Sequence, residues 1–180
     1  MDRSRNVVLT GFMGTGKTTV GLLLADLLGY EFVDTDAVIE QRYGPIETIF
    51  SERGEAAFRT IEREVAAELA GADRRVISTG GRMMLDPVIA ETLDAGARVF
   101  CLVASPDTIM ARVLNGPVRP LLAGPDPRAR ITELLASRAA GYAVFEQVST
   151  DSLTAADVAQ ELFDRLGQPP FMSRSSPRTR

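Results

Sequence analysis

The sequence predicts an α/β protein with a parallel sheet covered by helices on both faces, and three observations carry that reading. Short apolar runs suited to strands recur at Asn6–Thr10, Glu31–Asp34, Arg75–Thr79, Arg98–Val103 and Phe145–Thr150. Stretches of helical periodicity fill the gaps between them. The first run leads into Gly11-Phe12-Met13-Gly14-Thr15-Gly16-Lys17-Thr18, which meets the phosphate-binding pattern G-x-x-x-x-G-K-[ST] at every fixed position. Strand, glycine-rich loop and helix is the setting such a loop requires.

In chain order, Asn6–Thr10 is a short buried strand. Lys17–Leu28 is a helix with Val20, Leu23, Leu24, Leu27 and Leu28 at helical spacing. Glu31–Asp34 is the second strand. Thr35–Tyr43 is a short helix closed by Gly44-Pro45. Residues 47–51 form a short helical piece, and a longer helix runs from about Glu55 to Leu69 with Phe58, Ile61, Val65 and Leu69 on one face. Arg75–Thr79 is the third strand, ending in Gly80-Gly81. Pro87–Leu93 is a helix before the fourth strand. Pro106–Leu114 is a helix with proline at its start. Residues 115–127, rich in Gly and Pro, read as a mobile loop. Residues 128–142 are helical, a last strand follows, and Ala155–Leu166 is the final helix. Residues 1–167 are expected to make one domain, and 168–180 a disordered tail. No repeat or second core is visible.

Composition narrows the function. The 45% hydrophobic fraction over 180 residues suits a globular chain, and the net charge of −4 argues against general nucleic-acid binding. No apolar run approaches membrane-spanning length, and no signal peptide is evident. The single cysteine, Cys101, lies in a strand-like run and is expected to be an inert core residue, so no disulfide forms within the chain. These features point to the cytoplasm. Histidine is absent, so acid–base chemistry must use carboxylates or other groups. Of the 20 basic residues only Lys17 is a lysine. A compact ammonium suits a tight backbone cradle better than a planar guanidinium does.

The loop motif assigns roles. Backbone N–H groups at the helix N-terminus face phosphate oxygens, so Gly14, Thr15, Gly16, Lys17, Thr18 and Thr19 form an ATP-phosphate site. Lys17 reaches the β- and γ-phosphates and Thr18 places its hydroxyl on Mg²⁺. Asp34 and Asp36 flank Thr35 at a strand end, where i and i+2 side chains share a direction. Asp34 is expected at Mg²⁺ through water, because Mg²⁺ keeps much of its hydration shell, with Asp36 left for an acceptor hydroxyl and its proton. Either aspartate could instead cap the following helix, and the two roles are compatible.

Beyond the loop, Phe32-Val33-Asp34-Thr35-Asp36, Ile49-Phe50, Gly54-Glu55-Ala56-Ala57-Phe58-Arg59 with Glu62, Thr79-Gly80-Gly81, Arg119-Pro120-Leu121-Leu122 and Arg138 with Tyr142 follow in order. In order and spacing the chain resembles the shikimate kinases over about residues 6–166. The resemblance implies a three-layer α/β/α P-loop kinase fold with a five-stranded parallel sheet in the order 2-3-1-4-5 and a mobile lid at about 115–127. It implies transfer of the ATP γ-phosphate to the 3-hydroxyl of shikimate, a step of aromatic amino-acid biosynthesis, with Mg²⁺ as cofactor. Arg59 and Arg138 match carboxylate-binding arginines, Asp36 the residue that binds ring hydroxyls and acts as base, and Gly81 a substrate-contacting backbone N–H. Phe50 and Phe58 match apolar walls. Arg119 matches a lid arginine acting on the transferring phosphoryl, and Arg112 an arginine against adenine. Lys17, Asp36 and Arg119 are thus the expected catalytic residues. ATP and shikimate are the expected partners of a monomer, without nucleic acid or membrane.

Two departures stand out. The family usually has three glycines after the third strand, where this chain reads Gly80-Gly81-Arg82. If that position needs positive φ, arginine there is costly. Arg82 points outward, adds an anion contact, or reshapes the pocket. The segment from Tyr142 to Thr150 is also about two residues shorter than usual by the resemblance. Arg82 motivates an alternative, a P-loop kinase for another hydroxy acid such as gluconate. A non-catalytic nucleotide-binding paralogue is the third reading.

Overall fold

The computed structural model of the chain describes residues 5–114 and 126–167. The proposed lid arginine Arg119, nearly all of the 115–127 loop, and the tail at 168–180 lie outside the described residues. Five strands form one sheet: β1 (Asn6–Gly11), β2 (Glu31–Asp34), β3 (Arg75–Ser78), β4 (Ala97–Val103) and β5 (Glu146–Ser149). Their order is β2-β3-β1-β4-β5 and every pairing is parallel. The register sets Val8 beside Ile77 and Val99, which places the ends of β1, β2 and β3 together.

Side-chain alternation builds two apolar layers. From β1, Val7 and Leu9 face one cluster with Val76, Phe100, Leu102 and Val148. Helices α1 (Lys17–Leu28) and α7 (Ala155–Leu166) cover it through Val20, Leu24, Val158 and Leu162. Val8, Ile77, Val99 and Cys101 face the other cluster. There α3 (Ile46–Ala70), α4 (Pro87–Asp94), α5 (Pro106–Leu114) and α6 (Pro127–Tyr142) pack with α2 (Thr35–Tyr43), contributing Ile39, Phe58, Val65, Ile89, Ile109 and Ile131. No helix among the described residues is long and apolar enough to cross a membrane.

Several local expectations are corrected. In α1 the buried face is Val20, Gly21, Leu24 and Ala25, while Leu23 and Leu27 are exposed. Leucines at 22, 23, 24, 27 and 28 surround the helix, so periodicity alone fixes no unique face. The two helical pieces at 47–51 and 55–69 are two segments of α3, continuous except at Gly54, where φ is 78° and ψ 172°. Thr79 and Thr150 lie just past their strands, and Phe145 just before one. Pro127 belongs to α6 as a first-turn proline rather than to the loop, with Asp126 as the cap accepting from Ala129 N–H. A 3₁₀ turn at Met83–Leu85, not anticipated, buries Met83 and Met84.

Candidate active site

A cleft of about 590 Å³ opens where β1, β2 and β3 end. Such a place is where open α/β sheets bind ligands. At one end lies the loop between β1 and α1. Gly14 and Gly16 both have positive φ, and Gly16 occupies the N-cap of α1 without a side-chain cap. The first N–H groups of α1 therefore have no side-chain oxygen over them, and the helix end is suited to an anion. Lys17 Nζ donates to the carbonyls of Gly11 at 2.9 Å and Phe12 at 3.0 Å, which folds the ammonium back over the loop. Thr15 is buried and donates to Phe12 O at 2.8 Å, so its hydroxyl braces the loop from within. Thr19 and Thr18 line the cleft beside Lys17.

Thr18 Oγ1 donates to Asp34 Oδ2 at 3.1 Å. The other Asp34 oxygen, Oδ1, accepts from the N–H groups of Asp36 at 3.1 Å and Ala37 at 3.4 Å, capping α2. The sequence left the cap to either aspartate; it falls on Asp34. Asp36 is then in the first turn of α2, not a strand residue, so strand alternation does not set its direction. A different contact does. Gly80 passes so close that a Cβ built there would sit 2.6 Å from Asp36 Oδ1. Gly80 N–H donates to the buried Thr35 Oγ1 at 3.0 Å, and Thr79 Oγ1 to Leu9 O at 3.2 Å. These bonds clamp the end of β3 to β1 and α2, with Asp36 between.

At the other end of the cleft stand Arg59 and Arg138. Arg138, on α6, is only 8% exposed, and its guanidinium lies 5.1 Å from the Phe12 ring centroid. No described carboxylate forms an ion pair with it. Its companion Tyr142 donates a short hydrogen bond to Gly81 O. Burial pushes the Tyr142 hydroxyl above its usual range, so it stays protonated as that donor. Arg59, on α3, donates through Nη1 to Glu62 at 2.5 Å and through Nη2 to Glu55 at 2.9 Å. Burial works against its charge, but these two carboxylates outweigh burial and hold its pKa above the ordinary value. Burial raises the Glu62 carboxyl, and Arg59 opposes that rise. Phe50 and Phe58 stack as a tilted pair with centroids 4.6 Å apart and form the apolar wall.

Arg82 has φ −114° and ψ −9°, an ordinary conformation for any side chain. Arginine in this position carries no backbone strain. Its side chain is half exposed, lines the cleft, and meets Glu55 Oε1 at 3.2 Å. Arg112 lies at the phosphate-loop end of the cleft, donating to Gly14 O at 3.2 Å, Thr150 Oγ1 at 2.9 Å and Thr150 O at 2.7 Å. It ties the phosphate loop to the end of β5.

The cleft thus joins the sequence-predicted Gly14, Gly16, Lys17, Thr18, Thr19, Asp34, Asp36, Arg59, Gly81, Arg112 and Arg138. Thr15 braces the loop from behind, and Arg119 lies outside the described residues. The roles of Glu55, Glu62, Thr35 and Tyr142 were not read from sequence. The i+4 and i+3 spacing around Arg59 was a usable signal for the two glutamates.

A family model described as shikimate kinase matches residues 13–167. The chain belongs to the shikimate kinase family. The curated shikimate kinase of Moorella thermoacetica is 44% identical over 163 residues, covering 89% of this chain and 94% of that one. That of Thermus thermophilus is 42% identical over 163 residues, covering 89% of each. The structure of the Acinetobacter baumannii shikimate kinase, solved in complex with shikimate, superposes with a TM-score of 0.84 at 35% identity, over 91% of this chain and 93% of that one. A gluconokinase from Sinorhizobium meliloti aligns at TM-score 0.65 and 19% identity, which shows a common fold alone. Membership in the shikimate kinase family accounts for the sheet order and implies use of ATP.

Proposed function

We propose that this chain transfers the γ-phosphoryl group of ATP to the 3-hydroxyl of shikimate, giving shikimate 3-phosphate and ADP in aromatic amino-acid biosynthesis. One observation carries the reading most strongly: Arg59, Arg138 and Asp36 line the same cleft as Lys17 and Thr18. A small acid with several hydroxyls needs cations for its carboxylate and an acceptor for its hydroxyls, and this cleft offers both beside a phosphate cradle.

The residues divide the work by position. Arg138 offers a buried guanidinium with no carboxylate partner among the described residues, and Arg59 offers a fork fixed by Glu62. Asp36, held against Gly80, accepts the hydroxyl's hydrogen bond and takes its proton as the oxygen attacks phosphorus. The bond from phosphorus to the ADP oxygen breaks as the new bond forms. Lys17 follows the transferring group and offsets its charge. Gly14 to Thr19 hold the remaining phosphates, and Arg112 supports the base end of the nucleotide. Arg119 would reach the phosphoryl from the lid, which also excludes water as a competing acceptor.

The donor set fits Mg²⁺. Thr18 and Asp34 present hard oxygens side by side at 3.1 Å, and no group of three His, Cys, Asp or Glu among the described residues forms a protein cage. Mg²⁺ is characteristically held by one or two side chains, substrate phosphates and water. Thr18 and Asp34 would hold it, and the ion when bound neutralises charge on the β- and γ-phosphates. The working unit in this reading is a monomer of residues 1–167 in the cytoplasm, where a lone buried Cys101 suits a reducing environment.

A coupled assay with ATP, Mg²⁺ and shikimate tests the proposal. Turnover should clearly exceed the rate without shikimate, and gluconate should not replace it. A rate no greater than the ATPase background would overturn the reading.

A further inference from the structure

One carboxylate oxygen joins two arginines at the acceptor end of the cleft. Glu55 Oε1 accepts from Arg59 Nη2 at 2.9 Å, Arg59 Nε at 3.3 Å and Arg82 Nη1 at 3.2 Å. The Nε and Nη2 edge is one with which a guanidinium grips a carboxylate in a fork. The third nitrogen, Nη1, donates to Glu62. Every nitrogen of Arg59 therefore already serves a carboxylate. An incoming acid that uses this edge of Arg59 must take the place of Glu55.

The two glutamates differ in what their departure entails. The Glu62 side chain is 3% exposed, and moving it away would leave a buried charge unpaired. The Glu55 side chain is 55% exposed and can turn into water. Hydrogen bonding to Arg59, with the charges of Arg59 and Arg82, holds its carboxyl below the usual range, so Glu55 is an anion when it sits there. Displaced without a partner, it would stand as a like charge beside the incoming carboxylate. Arg82 supplies the partner.

We propose that Glu55 is a resident stand-in for the acceptor's carboxylate, and that Arg82 is a positioning residue that takes Glu55 over when the acceptor arrives. The inference rests on the reading of Arg59 as part of the acceptor site. Arg82 acts through Glu55, so it governs acceptor affinity and not the phosphoryl-transfer step.

Steady-state kinetics of the full chain, with shikimate binding followed by calorimetry, test this in a double-mutant cycle. Arg82→Ala should raise the KM for shikimate about two- to fivefold, the scale of an exposed ion pair, while kcat and the KM for ATP hold. Glu55→Gln should lower the shikimate KM, and the double variant should match Glu55→Gln alone. Arg82→Gln gives a second variant if alanine there impairs folding. An equal effect of Arg82→Ala in the Glu55→Gln background would overturn the inference, since Arg82 would then act without Glu55. So would an unchanged shikimate KM in Arg82→Ala and Arg82→Gln. If the wild-type chain turns over shikimate but the cycle shows no coupling, this inference alone falls. If the wild type neither binds nor phosphorylates shikimate, the acceptor assignment falls, and this inference with it.

Discussion

Lys17 and Asp36 mark the two ends of the proposed transfer. The Lys17 ammonium donates to the loop's own carbonyls at Gly11 and Phe12, so it is held at the phosphate cradle before nucleotide enters. Lys17→Ala removes a positioned cation from the transferring group and should lower kcat by about 10²–10³, the scale for losing one preorganised donor. The coupled assay reads this, and an unchanged rate would refute the role given to Lys17. Asp36→Asn keeps the shape but removes the proposed proton acceptor. Phosphorylation of shikimate should fall by about 10² or more, while titration with a fluorescent ATP analogue stays close to wild type. Because the cap of α2 is Asp34, the Asp36 change should not unravel that helix. Loss of nucleotide binding together with turnover would show that it does.

At the level of elements, two residues shape how α3 meets the sheet. Gly54 has φ 78° and ψ 172°, a region that is nearly glycine-only, and it sets the segment bearing Phe50 at an angle to the one bearing Arg59. A Cβ there would touch nothing within 4 Å, so the effect of Gly54→Ala is backbone strain and not a clash. It should reduce stability by about 1–3 kcal/mol and raise the shikimate KM by moving Phe50 off Phe58. Urea denaturation and kinetics would read the two effects. Asn6, buried at the start of β1, closes the far end of α3. Its Nδ2 donates to Leu69 O at 3.1 Å and Ala72 O at 2.6 Å, and its Oδ1 accepts from Arg75 N–H at 2.9 Å. Asn6→Ala strands these backbone groups and should cost about 1–3 kcal/mol in urea denaturation, with little change in the KM for either substrate. A loss below 0.5 kcal/mol, roughly the scale of an ordinary surface change, would contradict that role.

Across the whole molecule, the sheet separates two apolar clusters, and Cys101 sits in one of them on β4. It is fully buried, and burial pushes its thiol up to about 12 despite the Lys17 charge nearby. A buried protonated thiol is a poor nucleophile. The folded chain should resist a thiol reagent at pH 8, and one equivalent should react once the protein is unfolded in guanidinium. Rapid labelling of the native protein would show that the β4 layer opens locally.

The sequence by itself determined the strand and helix series and the phosphate loop, and it pointed to Asp34 and Asp36 at a strand end. Each of those depends on a local pattern or a fixed spacing, as with Lys17 in its glycine-rich loop. The family resemblance supplied the strand order and the expectation that Arg59, Arg112 and Arg138 line the cleft. Tertiary structure decided what depends on neighbours distant in the chain. Asp34 caps α2 through one oxygen while Thr18 of α1 bonds the other, and Gly80 beyond β3 packs against Asp36, so partners far apart in the chain separate the two aspartates. The inward face of α1 was settled by the sheet and α7, because leucines on several sides leave the helix's own pattern ambiguous. Arg82 was open in the sequence because φ is not written in a residue name. Its ordinary backbone and its contact with Glu55, 27 positions away, exist only once β3 ends beside α3.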